Sequence, residues 1–162
     1  MKFKITLKID RKYGDLLPFN YQYEQSAVIY RILAQADTQY SSWLHENGYL
    51  LHERKRFKLF CYSPFIFEKV RPLPEAGCLN IIGEKAEWYI SFIPEKSTLE
   101  FIQGIFAHQS FTIGNKEHRV AFDVVGVEAI PMPQLSEEMA FVALSPICVK
   151  LHEDNKTQYL SP

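Results

Sequence analysis

Lys2-Phe3-Lys4-Ile5-Thr6-Leu7-Lys8-Ile9 alternates along its whole length. Phe3, Ile5, Leu7 and Ile9 fall on one side of an extended chain, and Lys2, Lys4, Thr6 and Lys8 on the other. That is the pattern of a strand with one face in a core and a basic face outside. Working outward, Arg11 to Tyr23 holds Gly14 and Pro18 and reads as a loop. From about Glu24 the period becomes helical, and Ala27, Ile29, Tyr30 and Leu33 mark an apolar stripe that runs to Ala36. Asp37 reads as the N-cap of a short second helix, which closes at Glu46 or Asn47 ahead of Gly48.

Further along, Arg56 to Ser63 reads as a strand, with Phe65 to Val70 continuing it beyond Pro64. Leu79 to Ile82 and Ala86 to Ile93, joined at Gly83-Glu84, read as a hairpin. Ser97-Thr98-Leu99-Glu100 has the form of a capping box opening a helix through Phe101, Ile102, Ile105 and Phe106. Phe111 to Ile113 and Arg119 to Ile130 form a second hairpin around Gly114-Asn115, and Met139 to Ser145 is the last strand, with Ile147 to Leu151 continuing it. The order is strand, helix in two pieces, strands, helix, strands. It predicts an α+β protein: a ferredoxin-like, RRM-like β-α-β-β-α-β unit, with an antiparallel sheet, two main helices and extra hairpins. This superfold hosts many unrelated activities, so the fold by itself assigns none.

Composition narrows the class. Of 162 residues, 47% are hydrophobic and 14% aromatic, enough for a real core and too many for a disordered chain. The formal net charge is -1 and the pI about 6.5, so no global basic field points to nucleic acid. Local charge is denser: Lys2, Lys4, Lys8, Arg11 and Lys12 form one cluster, and Arg54, Lys55, Arg56 and Lys58 another. Short runs of this kind are most often solvated faces. Cys61, Cys78 and Cys148 match no metal-ligand spacing and read as buried free thiols in a reducing compartment. Met1 leads straight into the first strand, and no run approaches the roughly 18 apolar residues of a membrane span. The chain reads as cytoplasmic, with no membrane partner, cofactor or metal.

Three side chains stand out, each with an ordinary reading beside the chemical one. Tyr30 lies in an apolar helical stripe, where a tyrosine is usually a core ring with its hydroxyl at the rim. His45 lies near a helix C-terminus, where it complements the dipole. Lys58 alternates with Phe57 and Leu59, as an outward lysine on a strand does. Together they offer a phenol, an imidazole and an ammonium, the groups needed for proton transfer and charge neutralisation at a phosphodiester.

The blocks Lys2-Phe-Lys-Ile-Thr-Leu7, Leu17-Pro-Phe-Asn-Tyr-Gln-Tyr23, Val28-Ile-Tyr30, Leu44-His45, Phe57-Lys-Leu-Phe60 with Tyr62-Ser63, and Val142-Ala-Leu-Ser-Pro-Ile147 occur in that order. In this the chain resembles the N-terminal half of the CRISPR-associated endoribonucleases that cut precursor RNA into single guide units. The resemblance runs from Met1 to about Lys150. It implies two ferredoxin-like domains in tandem and a glycine-rich loop near the C-terminus. With 7 glycines and no such loop, residues 1–150 are expected to be the N-terminal domain and 151–162 a tail leading toward a second one. A fragment, a truncated gene or a partner supplying the remainder all fit.

The resemblance also implies the reaction: metal-independent attack of a ribose 2′-OH on the adjacent phosphorus, giving a 2′,3′-cyclic phosphate and a 5′-OH. Tyr30, His45 and Lys58 take the catalytic parts. An imidazole, with an ordinary pKa of about 6.5, suits acid or base work. An ammonium suits a dianionic centre. A phenol near about 10 is a poor free base, which favours positioning of the 2′-OH by Tyr30, with base work open to it only where a neighbouring cation lowers its pKa. Arg54, Lys55 and Arg56 are the expected contacts to RNA phosphates, with His52 at most a solvent or phosphate contact. Tyr21, Tyr23 and Trp43 are candidates for stacking on bases, with packing as the default. The implied partners are CRISPR repeat RNA and other CRISPR effector subunits. A second copy of the chain is a further one, held through the face that a second domain leaves open.

Two other readings stand beside this one. A catalytically silent RNA-binding or assembly module fits a chain without its second half, although such a module has no need of Tyr30, His45 and Lys58 together. A small ferredoxin-like phosphatase would use Arg11 in a phosphate cradle with Asn20 nearby, but Gly14-Asp-Leu-Leu-Pro18 does not look like an anion nest.

Overall fold

The computed structural model describes residues 1–51, 55–134, 136–140, 149–153 and 156–160. The chain divides into two compact units, Met1–Met132 and Pro133–Pro162. The first opens with β1 (Lys2–Asp10), a short 3-10 turn at Arg11–Tyr13 and β2 (Leu16–Pro18). Two helices follow, α1 (Gln22–Ala36) and α2 (Thr38–Glu46). Then come β3 (Tyr49–Leu51), β4 (Lys55–Phe57), β5 (Phe60–Tyr62), β6 (Ile66–Phe67), β7 (Val70–Leu73), β8 (Cys78–Ile81) and β9 (Lys85–Phe92). After α3 (Glu95–Ala107) the unit closes with β10 (Ser110–Gly114) and β11 (Arg119–Ile130). In the second unit β12 (Val149–Glu153) and β13 (Lys156–Leu160) pair antiparallel. Most of the expected strand from Met139 to Ser145, and Cys148, lie outside the described residues.

The main sheet has the order β10-β11-β1-β9-β5, with β6 following β5 along the same edge of β9. All its pairings are antiparallel. With β11, β1, β9 and β5 as the four strands and α1–α2 and α3 as the crossovers, this is the ferredoxin-like arrangement, and β10 is an added edge. Phe3, Ile5, Leu7 and Ile9 are all buried, as the alternation predicts, beside Ala86, Trp88, Ile90 and Phe92 of β9. The helices bring Val28, Ile29, Ile32, Leu33, Phe101 and Ile105 to the same core. On the other face Lys4 pairs with Glu128 at 2.8 Å and with Glu87 at 3.9 Å. There the Tyr89 hydroxyl donates to Glu87, and Lys2 sits over the Tyr89 ring. Where α3 crosses α1, a Cβ on Gly104 would lie 1.9 Å from the Ile32 carbonyl oxygen, so only a glycine permits this approach.

Several expectations are corrected. The stretch from Arg11 to Tyr23 is only partly loop: β2 pairs with β8, and α1 starts at Gln22. Residues 79–93 do not form a hairpin. Instead β8 joins β2 and β7 in a separate three-stranded sheet, while β9 joins β1. Alternation reports a strand's two faces but not which partner its edges take. The hairpin of β10 and β11 forms as expected. Residues 56–63 are two strands, broken where Leu59 takes a positive φ of 56°. The capping box is not used, because α3 begins at Glu95 and leaves Ser97 inside the helix, fully buried. Its hydroxyl bonds the Tyr40 phenol, which also meets the Tyr49 hydroxyl at 2.9 Å. Cys78 is buried but Cys61 is exposed. Among the described residues no helix is long and apolar enough to cross a membrane.

Asp37 does cap α2, accepting from the Tyr40 N–H at 2.8 Å and pairing with Lys96 at 2.9 Å. The N–H bond, then Lys96, holds its carboxyl below the ordinary carboxylate range. A depressed pKa in the folded state contributes stability that is present above the unfolded value and lost as pH falls through the folded one. Asp37→Ala should therefore lower the melting temperature at neutral pH. The gap to wild type should close between about pH 5 and about pH 2. A gap that stays constant across that range would show that the carboxylate contributes nothing by its charge.

Candidate functional site

Tyr30 leaves α1 on the side that α2 folds back upon. Asp37 ends one helix and caps the next, so α2 returns along α1 with no loop between them. The Ser41 hydroxyl donates to the Tyr30 carbonyl oxygen at 2.8 Å. One turn on, the His45 ring meets the Tyr30 ring edge to face, with centroids 4.9 Å apart and planes at 83°. Phe60 of β5 packs on another side of Tyr30, at 5.7 Å and 76°. His45 is exposed and Tyr30 half-buried. Among the described residues the buried and half-buried tyrosines Tyr21, Tyr40, Tyr49, Tyr62 and Tyr89 all have a hydrogen bond at the hydroxyl. That of Tyr30 has none. Burial, and after it the neighbouring Tyr62, pushes the Tyr30 phenol above its ordinary pKa, so at neutral pH it is a donor.

Lys58 arrives from the break between β4 and β5. Its ammonium donates to the carbonyl oxygens of Leu44 and His45, the last turn of α2, where a cation meets the negative end of the helix. Burial, then the charge of Arg56, holds its pKa below the ordinary lysine value. The left-handed Leu59 that follows costs about 1 kcal/mol in backbone conformation and turns the chain from the β3–β4 hairpin into the main sheet. Gly48, just past α2, has φ +70°, and a Cβ there would lie 2.8 Å from the Phe57 carbonyl oxygen and 3.3 Å from the Lys58 Cδ. The glycine that reads in sequence as a helix stop thus also leaves room for the lysine stem.

The structure therefore brings the Tyr30 and His45 rings together, while the Lys58 ammonium is held by backbone carbonyls in the last turn of the same helix as His45. Arg56 is exposed and donates to the Asn47 side chain at 3.0 Å, next to the same helix end. Lys55 lies in β4, whereas Arg54 and His52 are outside the described residues. Of the three aromatics considered for stacking, Tyr21 is 4% exposed and holds the Phe65 N–H at 3.0 Å, which removes it. Tyr23 is 82% exposed and Trp43 39%. Arg11 is committed to the carbonyl oxygens of Ile81, Ile82 and Gly83, leaving no cradle for the phosphatase reading.

Residues 16–123 match the family model described as CRISPR-associated protein Cas6, N-terminal. The chain belongs to the Cas6 family. It is 26% identical over 147 residues to CRISPR-associated endoribonuclease Cas6 1 of Methanocaldococcus jannaschii, covering 91% of this chain and 52% of that protein. The CRISPR-associated endoribonuclease Cas6 of Pyrococcus furiosus is 26% identical over 164 residues, covering 100% of this chain and 57% of that protein. The chain thus spans little more than half the length of these Cas6 relatives. A solved structure described as an RAMP protein binding different RNA substrates superposes with a TM-score of 0.71. It covers 99% of this chain and 61% of that one, and at 24% identity the likeness is one of fold.

Proposed function

We propose that this Cas6 chain carries the cleavage chemistry of a CRISPR repeat-RNA endoribonuclease, with Tyr30, His45 and Lys58 as its catalytic residues. One observation carries the reading: an exposed imidazole packs on the ring of a tyrosine whose hydroxyl has no partner among the described residues, on a helix whose last turn holds a lysine ammonium by its backbone carbonyls. Family membership and the relatives' names support the substrate class. In the proposed step the ribose 2′-oxygen forms a bond to phosphorus and the P–O5′ bond breaks, leaving a 2′,3′-cyclic phosphate and a 5′-OH. The 2′-OH proton is removed and a proton is delivered to the departing 5′-oxygen. His45 is the proton carrier, because its imidazole is open to solvent and to substrate. Tyr30, kept protonated by its burial, holds the 2′-OH by donating to it. Lys58 and Arg56 supply positive charge for the phosphorane, with Arg54 and Lys55 as further contacts to RNA phosphates. No cofactor takes part.

The test uses repeat RNA in EDTA and the same RNA with a single 2′-deoxy nucleotide upstream of the scissile phosphate. Cleavage of the first alone is expected. The uncleaved RNA should bind and quench tryptophan fluorescence, a signal assignable to Trp43 because Trp88 is fully buried. Cleavage of both RNAs would refute the 2′-OH mechanism. Binding without cleavage of either would leave the chain a silent repeat-RNA-binding module.

A further inference from the structure

Ser41 is polar and only 5% exposed, yet its hydroxyl has a specific partner. That partner is the backbone carbonyl of Tyr30, an atom whose helical role within α1 makes no demand for a second donor. The bond therefore does not rescue an orphaned group in α1; it ties one helix to another. Ser41 and His45 stand four residues apart on α2 and so share a face. One face of α2 thus touches Tyr30 twice: Ser41 at its carbonyl and His45 at its ring. Asp37 fixes the start of α2 through the Tyr40 N–H, and Lys58 holds its last turn by the carbonyls of Leu44 and His45. Between these two ends the Thr38 hydroxyl donates to the Ala34 carbonyl at 3.0 Å and the Ser41 hydroxyl to that of Tyr30, so Ser41 is the second of two hydroxyl ties from α2 to α1 and the one nearer His45.

We infer that Ser41 is a positioning residue for the Tyr30–His45 pair, acting through the Tyr30 backbone and not on substrate. The inference rests on the proposed function for its effect on rate, but its geometric part stands apart from catalysis. Without the hydroxyl, the Tyr30 carbonyl keeps its bond within α1, and the bond from the Thr38 hydroxyl to the Ala34 carbonyl at 3.0 Å still ties the start of α2 to α1, so the register is released at the His45 end. Small displacements of reacting groups cost rate steeply.

The experiment compares Ser41→Ala and Ser41→Thr with wild type by NMR of the histidine and tyrosine rings, thermal melting, and single-turnover cleavage of repeat RNA. The expected result for Ser41→Ala is loss of the ring-current displacement that the His45 and Tyr30 rings impose on each other. With it should come a roughly tenfold lower single-turnover cleavage rate at saturating RNA, with RNA affinity unchanged. Ser41→Thr, which keeps the hydroxyl, should restore both. If Ser41→Ala keeps the wild-type ring shifts, the inference is wrong, whatever the melting temperature does. A lower melting temperature with unchanged shifts would make Ser41 a stabilising residue only. If wild type itself does not cleave, the proposed function fails, while the ring shifts of the two variants still decide the positioning role.

Discussion

His45→Ala is expected to slow cleavage of repeat RNA by about a thousandfold, within the span usual for loss of a general acid–base group. The side chain is exposed, so its removal opens no core cavity, and the melting temperature should move little. RNA affinity should also hold, because the proposed phosphate contacts are Arg56 and its neighbours and not His45. Tyr30→Phe gives the finer reading. It keeps the ring on which His45 packs and deletes only the unpartnered hydroxyl, so its loss should be smaller than that of His45→Ala. A folded His45→Ala protein cleaving within about threefold of wild type would remove the imidazole from the chemistry, since even weak general catalysis exceeds that factor.

The second large effect is on stability. Gly104→Ala should destabilise the fold by about 3 kcal/mol, at the upper end of the cost of overpacking. Two effects oppose each other. Alanine is the better helix former by about 1 kcal/mol, and in an open helix that would raise stability. Here the new methyl would lie 1.9 Å from the Ile32 carbonyl oxygen and 2.8 Å from its carbon, and both are backbone atoms that no rotamer change can move aside. α1 and α3 would have to separate, loosening the contacts of Ile32, Phe101 and Ile105. The expected fall in melting temperature is roughly 6–12 °C for a chain of this size. An alanine variant as stable as wild type would mean that the two helices do not approach this closely in solution.

How far the sequence could be read follows from what periodicity contains. The strand at Lys2 to Asp10 was legible because each of its apolar residues meets the core. Asp37 was legible because a short acceptor between two helical stripes has one common use. The residues 56–63 were not, since Leu59 holds a left-handed conformation that its side chain does not advertise. Ser97 was misread because its spacing to Glu100 imitates a cap, while the partner that claims its hydroxyl, Tyr40, lies 57 residues away. At the candidate site no local pattern favoured chemistry. Tyr30 had the look of core, His45 of a helix-end cation and Lys58 of an outward lysine; their grouping rested on the family resemblance. In the structure the helix-end cation is Lys58, and Ser41 and Gly48, which support the pair and the lysine, carry no signal beyond their spacing.

The central place of β1 has a consequence for how the chain is made. Its two neighbours are β9 and β11, so β1 cannot pair along both edges until residue 130 has been synthesised. At 5–20 residues per second that is a wait of roughly 6–25 s with an apolar segment left without both its partners in a nascent chain. The lysines that alternate through it, two of them later set beside Glu128 and Tyr89, act in that interval as gatekeepers. They keep the growing chains on a polysome from pairing with one another before each has finished its own sheet.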